Sequence, residues 1–305
     1  MKIKKINGLV AAPFTPMKKD GSINPEIIGK YAEKLKTDGV KGAFVCGTTG
    51  EGMFMTNAER KEVTEKWLAE QTDDFNVIVH VGTTSAKQSQ ELAAHAQRSG
   101  AYATGCMGPV FLKPGNVDLL VDFCVEVASG SPDLPFYYYH IPSVSGIDLP
   151  MQEYIRKASA RIPNFAGLKF THNNFLEMQQ CLNLDNGKWD ILHGYDEMLL
   201  AGLALGVKGA VGSTYNFMAP LYNQIIEDFE KGNLEEARKK QLSSVKIIEV
   251  LIKHGGPIVS GKAVMKWLGI DCGDCRVPLP RFTKNCMDSF LSEMKKVLFF
   301  DIIRS

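Results

Sequence analysis

The stretch FAGLKF (165–170) holds one lysine, Lys169, in an otherwise apolar run. An unpaired ammonium costs several kcal/mol to desolvate. Such a lysine is therefore either a strand-end side chain reaching back to water or an amine kept dry for chemistry. A neutral amine attacks a ketone and forms an iminium, which serves as an electron sink for making or breaking the adjacent carbon–carbon bond. Four further stretches carry groups suited to assist: GTTGE (47–51), YYYHIP (137–142), HGYDE (193–197) and GSTYN (212–216). Together with LKFT (168–171) they offer hydroxyls, a phenol, a lysine and two carboxylates. Each is ambiguous alone. Consecutive tyrosines pack in cores, GTTGE can be a turn with a helix cap, and Asp196 and Glu197 can cap the helix that follows them.

The elements around these stretches bring them together. Short apolar runs at 8–14, 42–47, 76–82, 102–108, 135–140, 165–170, 189–194 and 207–213 are each followed by a helical pattern. Pro25 opens the first helix, with Ile27, Ile28, Tyr31, Ala32 and Leu35 on one face, and the pair Thr56 and Glu59 has the spacing of a capping box. Most runs are continuously apolar rather than alternating, as in strands covered on both faces. Eight such units predict an α/β fold, a (β/α)8 TIM barrel over 1–232, with a C-terminal helical extension over 233–305. Helices are predicted there near 234–253, 261–268 and 281–299. An open doubly wound sheet usually carries a Gly-rich turn after its first strand, and APFTPM (12–17) has none. In a barrel the five reactive stretches all fall at the C-terminal ends of strands, where barrel active sites lie.

Bulk properties narrow the function classes. The 305 residues include 35 Lys and Arg against 34 Asp and Glu, for a formal charge of +1, so neither nucleic acid nor a membrane surface is an expected partner. The apolar opening GLVAA is cut by Pro13 and Pro16 with no small-residue cleavage site after it, which makes the cytoplasm the expected location. Seven cysteines do not suggest a disulfide framework. Cys272 and Cys275 form one CxxC, but without a second pair or nearby histidines it reads as two loop cysteines rather than zinc ligands.

GTTGE, YHIP and GLK, in that order and at those strand ends, resemble the pyruvate-dependent class I aldolases of the dihydrodipicolinate synthase and N-acetylneuraminate lyase family. The resemblance spans essentially the whole chain, and SGKAVMKWLG (260–269) is similar to the family's tail. It implies that Lys169 is the Schiff-base lysine. The family's YNIP or YNVP motif falls on Tyr139 to Pro142, which implies that Tyr139 shuttles protons, with Thr48 and Thr49 holding the pyruvate carboxylate. Synthases of the family usually carry an arginine two residues beyond that proline, where this chain has Val144. Their PYYNKP signature supplies a tyrosine to a neighbouring subunit, where this chain has PVFLKP with Phe111.

Both departures point away from the synthases, and Phe111 leaves open how the proton relay is completed. GYDE and GSTYN resemble the sugar side of the sialic acid lyases. By that resemblance Asp196, Glu197 and Ser213 accept hydrogen bonds from sugar hydroxyls, while Thr171, Gly194 and Gly212 line the same pocket. His140, in place of the motif's asparagine, is expected to pack at the strand end. The implied activity is reversible aldol cleavage of N-acetylneuraminate to N-acetylmannosamine and pyruvate by a homotetramer. No metal or organic cofactor is expected, because the imine is the electron sink. Two alternatives remain at this point: a sibling aldolase for another 2-keto-3-deoxy sugar acid, and a non-catalytic sugar- or pyruvate-binding regulator.

Overall fold

The structure, a computed structural model, describes residues 3–303. Eight parallel strands close into a barrel in sequence order. They are β1 (Gly8–Ala11), β2 (Gly42–Val45), β3 (Asn76–His80), β4 (Ala103–Cys106), β5 (Phe136–His140), β6 (Phe165–Phe170), β7 (Asp190–His193) and β8 (Gly209–Gly212). Between and after them run α1 (Ile28–Thr37), α2 (Asn57–Leu68), α3 (Ala86–Arg98), α4 (Val117–Ala128), the short α5 (Pro142–Ser145), α6 (Met151–Arg161), α7 (Phe175–Asn183), α8 (Leu199–Leu205) and α9 (Tyr215–Glu230). The extension is α10 (Leu234–Lys253), α11 (Gly256–Trp267), α12 (Lys284–Lys296) and α13 (Phe299–Ile302). The (β/α)8 barrel and its C-terminal helices are thus those read from the sequence. Among the described residues no helix is long and apolar enough to cross a membrane.

Local chemistry accounts for the helix ends. The capping box at α2 is present: Glu59 N donates to Thr56 Oγ1 at 3.2 Å and Thr56 N donates to Glu59 Oε2 at 2.8 Å. Pro25 opens a single tight turn, Pro25–Ile27, before α1 rather than the helix itself. In the extension, α11 starts five residues earlier than its pattern suggests, with Gly255 in the left-handed region (φ 100°) and a proline in its first turn. The last predicted helix is split, because Leu298 at φ 57° breaks the chain between α12 and α13.

Two apolar layers hold the barrel. Outward side chains such as Leu9, Val45, Tyr138, Leu168 and Phe170 pack beneath the helices, while Val10, Phe44, Ile78, Tyr137, Tyr139, Ala166 and Val211 fill the interior. Strict alternation along β6 from Phe165, which points outward, would leave Lys169 outside as well. The β5–β6 ladder prevents this. Phe136 pairs with Phe165 but Tyr137 pairs with Gly167, so Ala166 is an extra residue in β6. This β-bulge shifts the register by one, which exchanges the faces of every residue after it. Leu168 and Phe170 then point outward, and Lys169, paired with Tyr139, faces the barrel interior. A glycine is required at the bulge, since a Cβ on Gly167 would lie 1.8 Å from the Asp190 carbonyl oxygen.

Candidate active site

All ten residues singled out in the sequence line one cavity of about 270 Å³ at the C-terminal mouth of the barrel: Lys169, Tyr139, Thr48, Thr49, Thr171, Gly194, Asp196, Glu197, Gly212 and Ser213. Lys169 is only 4% exposed, and among the described residues it makes no ion pair. Its Nζ sits 4.0 Å from the centroid of the Tyr139 ring and 4.4 Å from that of Phe44. These contacts give the nitrogen a polarizable, apolar bed and take none of its hydrogen-bonding capacity. The site therefore presents a buried amine group that no carboxylate holds in an ion pair among the described residues.

Tyr139 closes against Phe44 and His80 in edge-on contacts with centroids 5.6 and 6.0 Å apart. Its hydroxyl lies 3.5 Å from Thr48 Oγ1, within hydrogen-bond reach. Phe111, by contrast, is 83% exposed and does not reach this cavity. Within the chain the phenol's partner is thus a hydroxyl of the GTTGE loop. His80 stays neutral, because burial and then the Arg60 charge beside it push its pKa well below the usual histidine range.

The GTTGE loop is anchored from far away in sequence. Glu51 adopts φ 55°, in the left-handed region, and turns its carboxylate into the protein. Glu51 Oε1 pairs with Lys262 of α11 at 2.7 Å, with side-chain exposures of 0% and 3%. Its other oxygen accepts from Arg276 N at 2.7 Å, and the Arg276 side chain continues to the Gly21 and Phe54 carbonyls and to Glu59. A carboxylate in a buried pair, with its second oxygen also bonded, is a strong positional constraint. Thr48 and Thr49 therefore sit on a loop that the C-terminal extension holds in place.

Asp196 and Glu197 follow β7 in a tight turn, Asp196–Met198, that leads into α8. Asp196 does not cap its own helix. Its Oδ2 reaches across to the end of β8 and accepts from Thr214 N and Thr214 Oγ1, both at 2.7 Å, while Oδ1 faces Gly212 so closely that a Cβ there would lie 1.9 Å away. Burial raises the Asp196 pKa, and the Thr214 bonds oppose the rise. Burial likewise raises Glu197, with the Asp196 charge adding to it. Gln241 of α10 fixes this turn from behind, accepting from Leu200 N at 2.9 Å and donating to the Asp196 carbonyl at 3.2 Å. Thr171 Oγ1 is buried without a partner among the described residues, 1.9 Å from where a Gly194 Cβ would stand. A free hydroxyl at the wall of a cavity is an open valence for a ligand.

Several lining residues are not singled out by the strand-end pattern, although Thr214 lies within GSTYN. Thr214 lies one position beyond Ser213, and its role appears only once β7 and β8 are neighbours. Ile248, Ile252, Pro257 and Ile258 come from the C-terminal helices and give the mouth an apolar wall. Ile252 is 60% exposed, and the run VKIIEVLI (245–252) is the trace it leaves in the sequence. His140 packs at the end of β5 against Phe170 and His172, with its pKa pushed down to about 3 by burial and then by His172. Cys272 and Cys275 are buried free thiols in an irregular loop, both pushed up to about 12 by burial.

Comparison with known proteins places this geometry. The dihydrodipicolinate synthetase family model matches residues 5–297. The chain is 41% identical to the N-acetylneuraminate lyases of Pongo abelii and Homo sapiens, over 97% of this chain and 94% of each of theirs. Among solved structures, the Proteus mirabilis N-acetylneuraminate lyase superposes with a TM-score of 0.93 at 40% identity, covering 96% of this chain and 99% of that one. The sialic acid aldolase of Aliivibrio salmonicida superposes equally well, at 41% identity over 97% of this chain and 98% of that one. With its barrel, its buried strand-end lysine and a family match over nearly all of its length, the chain belongs to the dihydrodipicolinate synthetase family.

Proposed function

We propose that the chain catalyses the reversible aldol cleavage of N-acetylneuraminate to N-acetylmannosamine and pyruvate, as a class I aldolase that works through a Schiff-base lysine. The observation that carries the reading is Lys169, buried, in no ion pair among the described residues and 4.0 Å from the centroid of the Tyr139 ring, in a chain 41% identical to lyases of that name.

In this reading Lys169 Nζ attacks the keto carbon of the open-chain sugar acid and water leaves, giving an iminium. Thr48 and Thr49, with the amides of their loop, hold the carboxylate. Tyr139, acting with that carboxylate, takes the proton from the substrate hydroxyl, and Thr48 at 3.5 Å is placed to share the phenol's proton. The carbon–carbon bond then breaks, the electron pair moves into the iminium, and N-acetylmannosamine departs. Protonation of the resulting enamine and hydrolysis release pyruvate and restore the amine. Asp196, Glu197, Thr171 and Ser213 orient the polyol, since carboxylates and hydroxyls accept from a donor-rich chain, while Gly194 and Gly212 leave it room. Phe111 and Leu112, 83% and 81% exposed, suit burial against another copy in a homotetramer, which light scattering of the intact protein would test.

Reductive trapping tests the reaction. The protein is incubated with N-acetylneuraminate, reduced with borohydride, and its peptides are weighed by mass spectrometry. A pyruvate-sized adduct on Lys169 is expected. An intact-sugar adduct would mean imine formation without bond cleavage. No adduct from the sugar, with pyruvate still trapped, would reassign the chain to another sugar acid.

A further inference from the structure

A second cavity, of about 430 Å³, shares no lining residue with the catalytic one and lies among the segment after β1, α11 and the loop that carries Cys275. It is larger than the catalytic pocket, and Lys262 forms part of its wall. An ammonium has three N–H donors. One of these is donated to the Asp274 carbonyl at 3.1 Å, and the Glu51 Oε1 counter-ion stands 2.7 Å from the nitrogen. A further N–H has no partner among the described residues, although the side chain is 3% exposed. A buried charged donor left unpaired is costly, and the cavity is where an acceptor can stand.

The rim has the matching sign. Lys18 and Lys19 line it, and among the described residues neither is in an ion pair, whereas Lys266 is tied to Asp271 at 2.8 Å. Arg281 is held more loosely, 4.0 Å from Asp274. Much of the remaining wall is apolar, with Met17, Val259 and Phe282 among its members. We propose that this cavity is a second ligand site for a small organic anion, whose acid group meets the free N–H of Lys262 in the field of Lys18 and Lys19 while its compact apolar body rests on Met17, Val259 and Phe282.

The site is wired to the catalytic loop. Lys262 is the counter-ion of Glu51, and Glu51 ends the stretch that carries Thr48 and Thr49. An anion beside Lys262 shares its charge and weakens its hold on Glu51. The loop that receives the substrate carboxylate is then less firmly placed, which raises KM and leaves kcat unchanged. This second step rests on the proposed reaction; the binding step does not.

Calorimetric titration of the full chain with phenyl phosphate, with inorganic phosphate in parallel, tests the binding. One phenyl phosphate per chain is expected, with the Lys18→Ala/Lys19→Ala variant weakened about tenfold and unchanged in activity without the probe. No binding, or equal binding by parent and variant, overturns the site. Inorganic phosphate binding as tightly as phenyl phosphate overturns the apolar half of it. Phenyl phosphate should raise KM for N-acetylneuraminate in the parent and not in the variant. An unchanged KM in a parent that binds the probe refutes the coupling alone. Calorimetry requires no turnover, so failure of the site and failure of the lyase reading are read separately.

Discussion

Asp190 lies at the N-terminal end of the barrel, buried, where its Oδ2 accepts from Ile6 N at 3.1 Å and from the Tyr137 hydroxyl at 2.8 Å. Burial pushes its pKa up to about 6, against the opposing pull of those two donors and of Lys5. From the ordinary value of 3.8 this is a rise of about 2.2 units, or about 3 kcal/mol. The sign follows from proton counting. Below pH ~4 the carboxyl is neutral in both folded and unfolded chains and the group costs nothing. Between pH ~4 and ~6 the unfolded chain has released the proton and the folded chain has not, so stability falls as pH rises. Above pH ~6 both are ionised and the full penalty of about 3 kcal/mol is present. The same two pKa values give a penalty of about 1.6 kcal/mol at pH 5 and about 3 kcal/mol at pH 7.5.

Asp190→Asn keeps a carbonyl oxygen that can accept from both donors and cannot ionise. Its stability relative to the parent should therefore improve by about 1.4 kcal/mol between pH 5 and pH 7.5, read from urea denaturation at matched ionic strength. Parallel pH profiles for parent and variant would refute the reasoning, because they would show a carboxylate that ionises in the barrel floor without penalty. A constant offset between parallel profiles would mean only that the amide fits the two donors less well.

Three further outcomes follow from the geometry. Lys262→Met leaves the Glu51 carboxylate buried without its counter-ion and should destabilise the chain by about 3–5 kcal/mol, whereas adding Glu51→Gln should recover part of the loss; urea unfolding of the single and double variants checks this. Gly167→Ala forces a Cβ to within 1.8 Å of a backbone oxygen at the bulge that turns Lys169 inward, so borohydride trapping of pyruvate should fall at least about a hundredfold, an effect of the size that ångström misplacement produces. Thr214→Val removes one of two hydrogen bonds to Asp196 Oδ2, at about 1.5–3 kcal/mol for a bond to a charged acceptor. With that opposition gone the Asp196 pKa rises further, and the acid limb of the kcat/KM profile for N-acetylneuraminate should move to higher pH. An unmoved limb would mean that the ionised form of Asp196 is not required.

The strand–helix beat was legible because most strands are continuous apolar runs and the helices carry apolar faces, properties carried by neighbours in sequence. The strand-end groups were legible for the same reason. Once eight parallel strands are accepted, their C-terminal ends must meet at one mouth, and Lys169, Tyr139, Thr48 and Asp196 arrive there together. What local pattern does not carry is which face a residue takes after an irregularity. Period-two alternation puts Lys169 on the helix side of β6, and only the extra Ala166, visible through pairing with β5, turns it inward.

Two contacts of the site were decided by tertiary structure alone. Glu51 finds its counter-ion in Lys262, with most of the barrel between them in sequence, and Asp196 spends one oxygen on Thr214, just beyond β8, rather than on its own helix. Both carboxylates are acidic residues in short motifs, and nothing in either motif says which distant donor will be nearest once the barrel closes. The sequence by itself determined the chemical groups, their strand ends and hence the fold and family. The bulge, the long-range ion pair and the wall contributed by the C-terminal helices were settled only by packing, because a donor far along the chain becomes a neighbour through closure and not through spacing.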